Sequence, residues 1–176
     1  MYPIFRFMLE VRRARRLPAL EIGKTHVTKI TCMPWDIDYQ MEMNNGRTLT
    51  LFDLGRIPMA ERSGVIKATT KCGWGITVAG ASIRYRARVR FFQKIDIASA
   101  FLGWDHRFLY LQQTMWRGDV ATSSTLCRWA VTSDQGIVPP EKLARELGWP
   151  ETSPELPQYV ENWIDAEQQR PWPPLI

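Results

Sequence analysis

Between residues 45 and 62 apolar side chains occupy most of a helical wheel: Leu49, Leu51, Phe52, Leu54, Ile57, Met59 and Ala60. A helix apolar on most sides must be enclosed by other structure. The segment is therefore predicted as a central helix, stopped by Ser63-Gly64. Pro58 conflicts with this pattern. It lacks the N–H that would bond the Leu54 carbonyl, and an interior proline costs about 3 kcal/mol, so a kink or break is expected there. After Gly73 the period changes to two. Ile76 and Val78 alternate in one phase, and Ile83, Tyr85, Ala87, Val89 and Phe91 in the other. A change of phase needs one extra residue, so a β-bulge or sharp bend is expected around residues 79–81. Further strands are predicted over about 94–104, 107–117 and 120–132, with turns at 103–106 and at Gly118-Asp119. A run rich in Thr, Val and Ile over 22–35 gives a first strand, closed by Pro34. One strand, one enclosed helix and four further antiparallel strands define an α+β fold: a sheet of about five strands wrapped around one long central helix.

The two ends read differently. Over residues 1–18 Ile4, Phe5, Phe7, Met8 and Val11 can share one face of a short helix, arginines fill much of the rest, and Pro18 ends it. Two readings stand. Such a helix can touch a membrane surface or nucleic acid, or it can dock on its own domain with a solvated charged face. Pro139-Pro140 opens a short helix reaching Leu147-Gly148. A weaker helix over 157–169 precedes Pro171-Trp172-Pro173-Pro174. The expected division is a basic N-terminal extension (1–21), a central domain (22–148) and a Pro/Trp-rich C-terminal extension (149–176), packed or loose.

Composition narrows the partners. A chain of 176 residues fits one domain. Its net charge of +5 favours anionic partners without choosing among them. Cys32, Cys72 and Cys127 form no CxxC pair and only His26 and His106 accompany them, so no metal site is expected and a reduced, cytoplasmic setting is the simplest reading. No run approaches the roughly 20 apolar residues that span a bilayer. No transmembrane segment is expected, and any membrane contact would be a weak surface one. No motif for RNA or DNA is visible, so no nucleic-acid partner is expected.

Chemistry gathers after the first strand. Asp36, Asp38 and Glu42 precede Asn44-Asn45-Gly46-Arg47 at the predicted helix start. A carboxylate there could deprotonate water or attack a carbonyl. The N–H groups of Asn45, Gly46 and Arg47 lack intrahelical partners and can point at an oxygen that gains charge. The same residues also suit plain helix capping, worth about 1 kcal/mol. Arg84, Arg86, Arg88 and Arg90 alternate along the predicted strand, as a phosphate-binding stripe or a solvated face, with Arg84 and Arg86 the stronger phosphate candidates.

Asp36-x-Asp38-x-x-x-Glu42-Met43-Asn44-Asn45-Gly46-Arg47, followed by Asp53-x-x-Arg56, resembles the hotdog-fold acyl-CoA thioesterases of the 4-hydroxybenzoyl-CoA thioesterase type. Ile83-Arg84-Tyr85 resembles that family's I-x-Y strand segment. Gly136-Ile137-Val138-Pro139 and Leu147-Gly148 resemble its usual ending, so the likeness covers about residues 24–148. It implies the hotdog fold and hydrolysis of acyl-CoA thioesters. Asp38 would be general base or nucleophile, and a backbone N–H at or beside Asn45 the oxyanion donor. Expected substrate contacts are Asn44, Gly46, Arg47, Arg84 and Arg86. Coenzyme A would enter as part of the substrate, with no separate cofactor. The resemblance also implies homodimers with sites at the subunit boundary, and often homotetramers. Two positions depart from the pattern: Glu42 stands where the family has histidine, and Thr48 where it has tyrosine. If Glu42 and Asp38 face one cavity, one of them would hold a proton, and Glu42 would tune Asp38. The alternative is a non-catalytic hotdog protein that binds acyl-CoA or an acyl-carrier protein.

Overall fold

The enclosed helix is α2, Asn45–Arg62, and it lies in the curl of an antiparallel sheet. In the computed structural model, which describes residues 2–174, the chain forms α1 (Ile4–Ala14), β1 (His26–Thr31), a single 3-10 turn (Pro34–Asp36), α2, α3 (Val65–Cys72) and β2 (Gly75–Tyr85). It continues through β3 (Lys94–Trp104), β4 (Leu109–Arg117), β5 (Val120–Ser133), β6 (Gly136–Val138), α4 (Pro140–Leu147) and α5 (Gln158–Gln169). The outermost ends of the two expected extensions, Met1 and Leu175-Ile176, lie outside the described residues. The strand order is β1-β3-β4-β5-β2, with β6 added beside β5, so the α+β class and the wrapped helix are as expected.

The packing explains where expectation and structure part. Helix α2 runs unbroken through Pro58. Leu51, Phe52, Leu54 and Met59 are each fully buried, and burying one such side chain is worth about 1.5–3 kcal/mol. Together they outweigh the proline's cost of about 3 kcal/mol. The bulge forms where the phase change requires it, between Val78 and Gly80 opposite Trp129 and Arg128. Strand β2 stops at Tyr85 instead of reaching Phe91, because the N–H groups of Arg86 and Ala87 both turn to the Thr122 carbonyl, at 2.8 and 3.1 Å. Strand β1 is shorter than the expected 22–35. The three-residue β6 raises the strand number to six. It is too short to show a period and is returned to β5 by the turn before it. Helix α3 was not foreseen. It spans eight residues between Gly64 and Gly73, both with positive φ (80° and 68°) that suits glycine at a helix end.

Helix and sheet meet most closely at Gly55. A Cβ there would lie 2.6 Å from Ser99 Oγ and 2.7 Å from Ile97 Cγ2, so only a bare backbone fits. Buried Gln113 fixes the register by donating to the Phe52 carbonyl (2.9 Å) and to Ser99 Oγ (2.8 Å). On the opposite face of the sheet lies α5. Val160 is buried, Trp163 meets Tyr110 edge-on, and Glu167 pairs with Arg128 at 3.1 Å. Within the C-terminal extension, α5 is therefore packed on the sheet.

His26, at the start of β1, is 3% exposed. Its Nδ1 lies 3.0 Å from an Arg62 nitrogen, and its Nε2 3.0 Å from Thr28 Oγ1. Arginine only donates, so Nδ1 accepts and Nε2 carries the proton. Burial, then the Arg62 charge, lowers the His26 pKa from 6.5 to about 4. A depressed histidine is protonated in the unfolded chain before the folded one. Its contribution to stability is thus complete above pH 6.5 and is lost as pH falls toward 4. Thermal melts should show a midpoint that drops by several degrees across that window, with a flatter profile in His26→Gln.

Candidate active site

A buried carboxylate organises the loop between β1 and α2. The Asp36 side chain is 0% exposed. It accepts from Arg6 (2.8 Å), from Arg47 Nε (2.6 Å) and from the Met33 N–H (3.0 Å). Burial alone would raise its pKa. The Met33 N–H, Arg47 and Arg6 together outweigh that and hold it below the usual 3.8. Arg6 also donates to the Thr31 carbonyl (2.9 Å), so one cluster joins α1, the end of β1 and the first turn of α2.

From Asp36 the chain makes a tight excursion and returns. Ile37 and Met43 form a bridge, the Asp38 N–H donates to the Glu42 carbonyl (2.8 Å), and Met41 takes a φ of 60°. Inside this turn the Asp38 carboxylate accepts from the Gln40 N–H at 2.9 Å. Glu42 points elsewhere. It lines a cleft of about 180 Å³ together with Asn45, Thr48, Tyr85, Arg86 and Arg88. Its Oε2 is shielded from solvent and lies 2.9 Å from Arg88 Nε, at ion-pair distance but without hydrogen-bond alignment. The two carboxylates have separate partners: Glu42 lines the cleft beside Arg88, and Asp38, held by the Gln40 N–H, is not among the residues of that lining.

The helix start itself is less open than expected. Asn44 is the N-cap, and its Oδ1 accepts from the Arg47 N–H (3.0 Å). Of the three N–H groups expected to be available, Arg47's is therefore occupied, while those of Asn45 and Gly46 sit at the first two helical positions, where no intrahelical carbonyl reaches them. Tyr85 donates to the Asn45 carbonyl at 3.1 Å, tying the end of β2 to the first turn. On its other side the same turn borders a second, larger cavity of about 820 Å³, lined by Asn44, Arg47, Ile37, Trp35 and the N-terminal end of α1.

The arginine stripe splits. Arg84 lies in β2 and stays outside the cleft, whereas Arg86 lines it. Arg88, ranked lower from the sequence, is the one that meets Glu42. Alternation along a strand stops mattering where the strand ends. Burial pushes both core thiols up, Cys32 to about 11 with help from the Asp36 charge. Neither is a thiolate at neutral pH. Replacing Asp36 by Ala should cost about 3–5 kcal/mol, the usual result of stranding charges in a buried pair. The check is the shift in urea midpoint against the parent chain, with Arg47→Met expected to cost less.

A family model described as the thioesterase-like superfamily matches residues 32–164. The chain is similar to Protein THEM6 of Xenopus laevis, at 30% identity over 160 residues, covering 89% of this chain and 75% of that protein. Among solved structures it is similar to YbaW, a probable thioesterase from Escherichia coli, with a TM-score of 0.64 and 19% identity over 69% of this chain and 95% of that one. SAV2348 from Staphylococcus aureus, solved in complex with CoA, gives a TM-score of 0.59 at 12% identity, covering 73% and 85%. At these identities the structural likeness shows the fold, which is the hotdog arrangement of one helix in a curled sheet.

Proposed function

The chain belongs to the thioesterase-like superfamily, and from that premise we propose that it hydrolyses thioesters of coenzyme A in the cleft at the start of α2. One observation carries this reading: Glu42 and Asn45, the first residue of α2, line the same cleft. A thioester oxygen turned toward the Asn45 and Gly46 N–H groups meets the positive end of the helix. Glu42 takes a proton from water as the water oxygen attacks the carbonyl carbon. The carbon–sulfur bond then breaks, and the coenzyme A thiolate leaves and takes up a proton. Arg86 and Arg88 supply positive charge suited to the phosphates of coenzyme A. The CoA bound to SAV2348 supports that ligand class.

This assignment moves the basic carboxylate from Asp38, the residue the resemblance implies, to Glu42. Asp38 becomes the residue that holds the loop, through the Gln40 N–H. The free edge of β2 fits assembly into a homodimer, because an unpaired edge strand of eleven residues is a template for another chain. Tyr85 and Arg86, at the end of that edge, line the cleft, so a second copy would complete its wall. A non-catalytic, acyl-CoA-binding reading has one observation in its favour, the neutralisation of Glu42 by Arg88.

Free-thiol release from a panel of acyl-CoAs separates these readings. Glu42→Gln is expected to lose about 100-fold or more, the ordinary worth of a general base, while Asp38→Asn loses less than about tenfold on the same scale. The reverse order would return the base to Asp38. Tight acyl-CoA binding with no thiol release from the parent chain would establish the binding role instead. Light scattering is expected to give twice the 20.4 kDa chain mass.

A further inference from the structure

Helix α1 turns four apolar side chains, Ile4, Phe5, Met8 and Leu9, away from the protein, while Phe7 packs against the core. The residues it buries are Glu10 and Ala14. Ile4, Phe5, Met8 and Leu9 are exposed, Phe5 at 90% and Met8 at 62%. Residues four apart lie in rows along a helix. One outward row reads Ile4, Met8, Arg12, the next reads Phe5, Leu9, Arg13, and Arg16 follows just past the helix end. Each row starts apolar and ends basic, so the exposed side is graded along the axis. Trp35, 66% exposed, stands beside Ile4 and Phe5 on the rim of the larger cavity and extends the apolar end. Among residues 2–20 the one acid is Glu10, and it is turned inward and paired with Arg13 at 2.6 Å. The family match spans residues 32–164, so this helix lies outside the matched region.

We infer that α1 docks the protein on an anionic phospholipid bilayer, apolar end inward and arginines at the headgroups. The charge pattern selects this occupant over a second copy of the chain, whose α1 offers these arginines no outward acid, Glu10 being buried and paired with Arg13. The dimensions agree: residues 4–9 rise roughly 8 Å along the helix axis, within the roughly 5–10 Å depth that interfacial helices reach. Among the described residues no helix is long and apolar enough to cross a membrane, so the contact is interfacial. Docking leaves the Asp36 cluster in place, because Arg6 is held against Asp36 and the Thr31 carbonyl while Phe5 and Met8 are exposed.

The test is co-sedimentation of the full chain with phosphatidylcholine vesicles, with and without phosphatidylserine. Binding is expected to the anionic vesicles alone and to weaken as salt rises. Phe5→Asp with Met8→Asp should reduce it at least about tenfold, since a charge replaces each buried apolar group. Arg12→Gln and Arg16→Gln should each cost about fivefold, corresponding to about 1 kcal/mol per basic residue near an anionic surface. Circular dichroism of each variant should match the parent. The inference is overturned by equal binding to neutral vesicles, by variants that bind as the parent does, or by absence of binding to anionic vesicles. It is also overturned if the Phe5/Met8 variant changes the chain's assembly in light scattering while leaving sedimentation unchanged. Thiol release from soluble acyl-CoAs reads the proposed hydrolysis separately, so either reading can fail alone.

Discussion

The local structure depends on a single ionised group out of water. Asp36 has no exposed surface, and without its partners its charge would be costly to bury. Arg6 from α1, Arg47 from α2 and the Met33 N–H hold it, and each comes from a different piece of chain. Because Arg47 is drawn to Asp36, the first turn of α2 has a fixed orientation. Because that turn is fixed, the backbone donors of Asn45 and Gly46 have a fixed direction. The catalytic geometry proposed for the cleft thus rests on a residue that is itself outside the cleft lining.

The first turn of α2 borders two cavities of different character. The smaller is lined by Glu42, Arg86 and Arg88 and suits charged chemistry. The larger has Ile4, Phe5, Trp35 and Ile37 along its wall. Asn44 lines the larger and Asn45 the smaller, so two adjacent residues face different surroundings at the end of one helix. The helix macrodipole favours anions at this end, and the Asn44 cap leaves the first two donors to provide it.

Much of the fold was legible because it rests on periodicity. The phase change between Val78 and Ile83 located the bulge, and the all-round apolar segment identified the enclosed helix. Helix α3 was not legible, since eight residues between two glycines carry little periodic signal. The candidate site was legible as a composition of acids before a helix start, but not as a geometry. Asp36, Asp38 and Glu42 look equivalent in sequence. Their separate fates depend on Arg6, thirty residues from Asp36, and on Arg88, which lies past the end of β2. Such contacts are set by tertiary folding, and a single sequence gives no sign of them.

Helix α5 changes what the outer surface of the sheet is free to do. Gln112 and Arg128 point away from α2, and Tyr159 and Glu167 engage them there. Two such sheets therefore cannot stack back to back over β4 and β5 while this helix stays in place, and any tetramer of the protein has to be built through a different contact.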